Sequence, residues 1–250
     1  MMKKAWIKLS LLLEFLLPMT GLQAETLRVV AEHWPPYVDR SAPGQGLAID
    51  LITTALVRAR YDYTIDYQPW PRALEGGKIG VYDLIANIWY SPERARDLDY
   101  SEPYLINDIR LVKRKNSPVS FRKMADLNGL MVGVLKDYAY PKEFAEAKNF
   151  IKIDNPELLP ALGNLVKGEY DVVIGDLNAI NYVFLKFLPS ESKQLEILPK
   201  SVGMNKLYVA ASKANPKHAK IIADFNAALR SMQKDGTYQS IIESHQSARP

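Results

Sequence analysis

Six aromatic rings and a few charges mark where this chain could hold a small molecule. Trp34, Tyr37, Trp70, Trp89, Tyr90 and Tyr104 fall at or just beyond the C-terminal ends of strands read from the residue pattern. In open α/β sheets ligands bind beyond those ends. Ring faces placed there stack on planar groups or hold a cation against the ring quadrupole. Any one of these rings serves equally well as a cap on the core; six together at loop tips are harder to assign to packing alone. One of the two arginines in Ser91-Pro92-Glu93-Arg94-Ala95-Arg96 could grip a carboxylate at two points, as no lysine can. The alternative is an ion pair with Glu93 or Asp97. Asp176, following Ile174-Gly175, could accept from a ligand ammonium or simply cap the next helix.

Other chemistries are excluded. There is no G-x-S-x-G elbow, no H-E-x-x-H pair and no phosphate-binding G-x-x-x-x-G-K loop. His33, His218 and His245 are scattered without metal-ligand spacing, so neither a metal nor a cofactor is expected. The chain has no Cys, which rules out disulfides, a thiol nucleophile, Cys-based zinc or iron–sulfur sites and a lipid on an N-terminal Cys. No carboxylate pair is assignable to acid–base work, so a binding protein is expected and not an enzyme. The formal charge of +4 falls further without the leader lysines, which gives no reason to expect nucleic acid or a membrane surface as partner.

These side chains need elements to carry them. Lys3, Lys4 and Lys8, the apolar run Leu9 to Leu17, a break at Pro18 and Gly21, and Leu22-Gln23-Ala24 lay out a secretory signal peptide over residues 1–24. The apolar run is shorter than the roughly 20 residues that span a bilayer. Strands are expected at Leu27–Ala31, Tyr63–Tyr67 and Asp83–Ala86, with a helix through Ile52 and Ala59 and a shorter one ending at Gly76-Gly77. A second series begins near Phe121, with strands at Met131–Leu135, Ile151–Ile153 and Asp171–Gly175. Its helices run through Phe144 to Lys148, from Pro156 to Lys167, and from Ala179 to Leu188. Such alternation implies an α/β fold with largely parallel sheets.

Ile109–Arg114 and Leu207–Ala211 are extended segments flanking the second series. They predict a double hinge, with residues 25–110 and 208–250 in lobe 1 and an inserted lobe 2 over 111–207. Helices starting at Asn215-Pro216 and running from Thr237 to His245 close the chain.

In order and spacing these pieces resemble the family 3 periplasmic solute-binding proteins of amino-acid ABC transporters, nearly end to end. The resemblance rests on Trp34-Pro35-Pro36-Tyr37, Gly46 to Leu51, Ser91-Pro92-Glu93-Arg94 with Leu98 to Tyr104, Gly168 to Val173 with Asp176, and Asp224 to Leu229 with Asp235-Gly236-Thr237-Tyr238. It implies a type II, Venus-flytrap clamp in the periplasm that captures an amino acid or similar small polar ligand. It also implies a monomer that serves an ABC permease in the inner membrane. Arg94 matches the residue for the ligand carboxylate and Asp176 that for its amino group, while Trp34, Tyr37 and Trp70 match pocket-lining positions. Trp89 stands where the family commonly has Ser or Thr, and Lys136-Asp137-Tyr138-Ala139 where small hydroxyl residues are usual. Tyr138 joins Trp89 and Tyr90 of the aromatic cluster in the expected site, and an aromatic, cationic or modified ligand is favoured. A sensor for a membrane receptor is the first rival. A dehydratase or lyase using Asp137 or Glu32 is the second.

Overall fold

The computed structural model describes residues 26–247, so the signal peptide read over residues 1–24 lies outside the described residues. The chain runs β1 (Thr26–Ala31), α1 (Leu47–Arg58), β2 (Asp62–Tyr67), α2 (Trp70–Lys78), β3 (Leu84–Trp89), β4 (Leu98–Tyr100) and β5 (Leu105–Arg114). It continues through β6 (Met131–Leu135), α3 (Lys142–Glu146), β7 (Ile151–Asn155), α4 (Leu158–Lys167), β8 (Val172–Asp176) and α5 (Leu177–Lys186). Finally come β9 (Leu195–Ile197), β10 (Gly203–Ser212), α6 (His218–Asp235) and α7 (Thr237–Ser247).

The strands follow the order β2-β1-β3-β10-β5-β8-β6-β7, with β4 beside β10 and β9 beside β5. β1 pairs in parallel with β2 and β3, and β6 with β7 and β8. Each parallel trio needs helical crossovers, which bury both its faces; β3 and β8 are accordingly buried along their whole length. The two trios are the cores of two lobes, and β5 and β10 join them twice. Leu105–Ile109 pairs with Gly203–Leu207 in antiparallel register. Beyond that stretch β10 runs on against β3 and β4, while β5 runs on against β8 and β9. A pair of strands shared in this way bends at two points at once, which is the double hinge of a type II clamp.

The structure changes some expected boundaries. α2 does not stop at Gly76-Gly77 but runs through both to Lys78. Their small size serves close packing: a Cβ on Gly77 would lie 2.4 Å from Cδ1 of Ile85, a fully buried residue of β3. Gly77→Ala gains about 1 kcal/mol of helix propensity, yet forcing a methyl into a closed contact costs about 1–3 kcal/mol. A net loss is expected, read as a melting temperature lower by a few degrees. An unchanged or higher melting temperature would show that α2 can lift off β3 freely. α6 begins at His218 and not at Asn215, because the Asn215 carbonyl and side chain are spent on a turn that bonds the amides of His218 and Lys217. β4 and β9, three residues each, are too short to show periodicity.

Candidate functional site

The site forms where β1, β3, β6 and β8 end. After β1 the chain folds back on itself, Trp34 and Val38 exchanging backbone hydrogen bonds of 3.0 Å. The turn is held from below by α1, whose Ala48 amide donates to the Tyr37 carbonyl at 2.8 Å. Gly46 makes that approach possible: it takes φ 96°, and a Cβ there would lie 2.6 Å from the same carbonyl oxygen. Trp70 opens α2, Trp89 closes β3, and Arg94 sits in the short turn that follows. From the second lobe, the loop after β6 places Asp137 at φ 61°, a left-handed conformation that Asp tolerates better than most residues. That twist carries the Asp137 carbonyl and the Tyr138 ring across to the first lobe.

Glu32, Trp34, Trp70, Trp89, Arg94 and Tyr138 surround a cavity of about 20 Å³, with Asn87 beneath. Arg94 is buried and donates from Nη1 to the Trp89 carbonyl at 2.9 Å and from Nη2 to the Asp137 carbonyl. Its guanidinium lies 5.0 Å from the centre of the Trp70 ring. Burial pulls its pKa down, but a guanidinium stays protonated in proteins. Glu32 accepts from the Tyr138 hydroxyl at 3.0 Å. Its pKa is pushed up to about 7, chiefly by burial and further by Glu157, against the downward pull of Tyr138 and Arg94. A carboxyl and a guanidinium thus face one small space walled by rings: Trp89 stands edge-on to Trp34 at 5.7 Å and to Tyr138 at 5.4 Å.

Not every expected residue joins that wall. Tyr90 is 51% exposed and packs on Tyr100, away from the cavity, because it is the first residue past β3 and side chains alternate there. Tyr104 is a core residue whose hydroxyl donates to the Ala86 carbonyl. Tyr37 lies behind the wall, tilted against Trp34 at 4.6 Å, with its hydroxyl accepting from Asn178. Asp176 does not share a cavity with Arg94. It caps α5 through the Ala179 amide at 2.9 Å, and its buried Oδ2 has no hydrogen bond of acceptable geometry. Burial raises its pKa to about 6, with Tyr37 and Asn107 near enough to draw it partly back. Asn107 in turn accepts from the Trp89 indole at 2.8 Å, and Trp89, not Asp176, lines the cavity. The residue pattern did not place Glu32 or Asn87 on this cavity; Glu32 was named only as an acid or base of the enzymatic rival. A carboxylate one step past the buried end of β1, just ahead of the aromatic turn, was the available signal.

A second chamber of about 590 Å³ opens outside the first and shares Glu32, Trp34, Trp70 and Tyr138 with it. Both lobes wall it, and they already touch: Tyr182 donates to Asp39 at 2.8 Å and Asn178 to Tyr37 at 2.9 Å. Trp70 also donates to the Asp137 carbonyl at 3.2 Å. Among the described residues no three His, Cys, Asp or Glu side chains gather to hold a metal, and no helix is long and apolar enough to cross a membrane.

Two α/β lobes on a shared strand pair, with a ring-walled site between them, define a type II solute-binding clamp. Residues 27–247 match the model of the bacterial extracellular solute-binding proteins, family 3, and the chain belongs to that family. The lysine/arginine/ornithine-binding periplasmic protein of Escherichia coli is 26% identical, over 98% of this chain and 97% of its own. The ABC transporter arginine-binding protein 1 of Escherichia coli is 24% identical, over 86% and 87%. Among solved structures, a histidine kinase sensor domain with similarity to periplasmic binding proteins superposes with a TM-score of 0.77. It has 22% identity over 88% of this chain and 96% of its own.

Proposed function

We propose that this chain captures an amino acid bearing a cationic group in the periplasm, as a monomer, and presents it to an ABC permease of the inner membrane. One observation carries the reading: Glu32 and Arg94, of opposite charge, line the same aromatic-walled cavity. A ligand carboxylate meets the planar fork of Arg94. The ligand cation meets Glu32 and the ring faces around it. The Asp137 carbonyl and the Tyr138 hydroxyl that now hold these two charges come from the opposite lobe, so opening the hinge uncovers both. A ligand carboxylate, with its full negative charge and two oxygens for the planar fork, then outcompetes a neutral carbonyl at Arg94.

The arginine- and lysine-binding relatives support the same ligand class, and the signal-peptide layout of residues 1–24 supports export. Asp176, which does not line the cavity, is assigned the capping of α5 and no ligand contact. We read the chain as a binder and not a catalyst, in keeping with its family.

Thermal unfolding of the mature protein against the twenty amino acids tests this. A ligand at a hundredfold excess over its dissociation constant stabilises by about 2.7 kcal/mol. Arginine, lysine or ornithine is expected to raise the melting temperature by several degrees. Shifts confined to acidic or neutral amino acids would overturn the assignment.

A further inference from the structure

We infer that the outer chamber is a second subsite, and that the preferred ligand is an amino acid carrying an apolar group on its amine. This rests on the reading that Arg94 holds the ligand's carboxylate and Glu32 its side-chain cation. The chamber measures about 590 Å³, within the roughly 300–1,000 Å³ of sites that enclose drug-sized molecules. Even at the ~30 Å³ share of a liquid water for each of about ten heavy atoms, a free amino acid takes about 300 Å³. The chamber is therefore about twice what such a ligand needs.

The bonds from Tyr182 to Asp39 and Asn178 to Tyr37, which the ligand need not break, already join the lobes across the cleft, and the chamber is present in this joined state. The walls say what fills it. The lining is mostly apolar: Pro35, Pro69 and Pro71 stand on one side and Leu158, Leu159 and Phe187 on the other, with Gln68, Lys136 and Glu157 among them. Proline is stiff and has no N–H to offer, so three backbone positions on the first wall cannot donate to a polar ligand. Phe187 is 54% exposed, a large ring left partly in water at the chamber's edge. A surface of this kind accepts an acyl or aromatic substituent. Because the chamber shares Glu32, Trp34, Trp70 and Tyr138 with the inner cavity, a substituent on the amine passes directly into it.

Two sources supply such a ligand: a dipeptide, whose free ammonium would remain, and an acylated amino acid, which has none. Titration calorimetry on the mature protein with L-arginine, Gly-Arg, Phe-Arg and Nα-benzoyl-arginine separates them. Phe-Arg, benzoyl-arginine or both are expected to bind at least fivefold more tightly than arginine, with Gly-Arg lagging behind Phe-Arg. The tighter of the two names the source. Phe187→Ala, at an exposed position that the fold does not need, is expected to narrow that preference. If arginine binds and neither substituted probe gains fivefold, the second subsite is wrong while the assignment of Arg94 and Glu32 stands. A preference that Phe187→Ala leaves intact also overturns the subsite. If none of the four binds, that assignment fails and this inference with it.

Discussion

Arg94→Ala is expected to weaken binding of a cationic amino acid by about thirtyfold or more. Removing one member of a buried, hydrogen-bonded charge pair costs about 2–5 kcal/mol, much of it from leaving the other charge without a partner. Here the stranded charge would be a ligand carboxylate in a cavity whose other charged group is the carboxyl of Glu32, which repels it once ionised. The unliganded protein should suffer as well. Arg94 donates to the carbonyls of Trp89 and Asp137; the Asp137 carbonyl keeps the Trp70 indole and the Trp89 carbonyl only the long bond from Tyr100, so the loss falls mainly on the Trp89 carbonyl, at up to about 1–3 kcal/mol. Arg94→Lys keeps the charge but not the planar fork, so it should fall between the two. Calorimetric titration of the three proteins with arginine, alongside their melting temperatures, checks this. Affinity unchanged in a folded Arg94→Ala protein would remove the arginine from the site.

Why Arg94 could be picked out, and Asp176 misplaced, shows what a residue pattern carries. The trios of parallel strands were legible because β1, β3, β6 and β8 are short apolar runs closed by turn residues; β1, β6 and β8 were found within a residue, whereas β3 runs three residues past its expected end, to Trp89. Trp34, Trp70 and Trp89 were marked in this way, but so were Tyr37, Tyr90 and Tyr104, which lie elsewhere, and Arg94 was chosen over Arg96 only through the family resemblance. Tyr138 entered only through a comparison of loops, and the left-handed twist at Asp137 that swings it across the cleft leaves no mark in the residue pattern. Asp176 also ends a strand, but its neighbours in space include Asn107 from β5 and Tyr37 from the turn after β1, both far away in sequence. Whether a large ring at position 89 lines a cavity or packs away from it depends on which way the indole lies. In this chain it lines the cavity, with its N–H bonded to Asn107. Glu32 was overlooked as a binding residue for a related reason. A lone carboxylate beside an aromatic turn gains meaning only once Tyr138 and Arg94 arrive from other elements.

Glu32 should also make binding and stability respond to pH in opposite directions. Its pKa in the unliganded protein is about 7, well above the ordinary carboxylate range, so at pH 5 it carries a proton there. A ligand cation favours the ionised form, so binding expels that proton, and affinity should rise by up to about tenfold per pH unit until pH reaches about 7. Between pH 5 and 7 the gain is one to two orders of magnitude, with little change above. The unliganded fold shows the reverse. A raised pKa means that the native state binds protons the unfolded chain has already lost, so stability is highest at low pH and falls as pH climbs from about 4.5 towards 7. One pKa unit corresponds to 1.36 kcal/mol, so the fall is about 3 kcal/mol at most. Asp176, raised to about 6, adds a smaller fall of the same sign ending near pH 6. Glu32→Gln should lose at least tenfold in affinity at pH 8, flatten the pH dependence of binding, and remove the larger part of the stability slope. Asp176→Asn, which can still cap α5 through its side-chain oxygen, should remove only the smaller part and leave the pH dependence of binding unchanged. A wild-type affinity that does not vary between pH 5 and 7 would mean that the ligand cation sits elsewhere, and that Glu32 is held in the aromatic wall for packing alone.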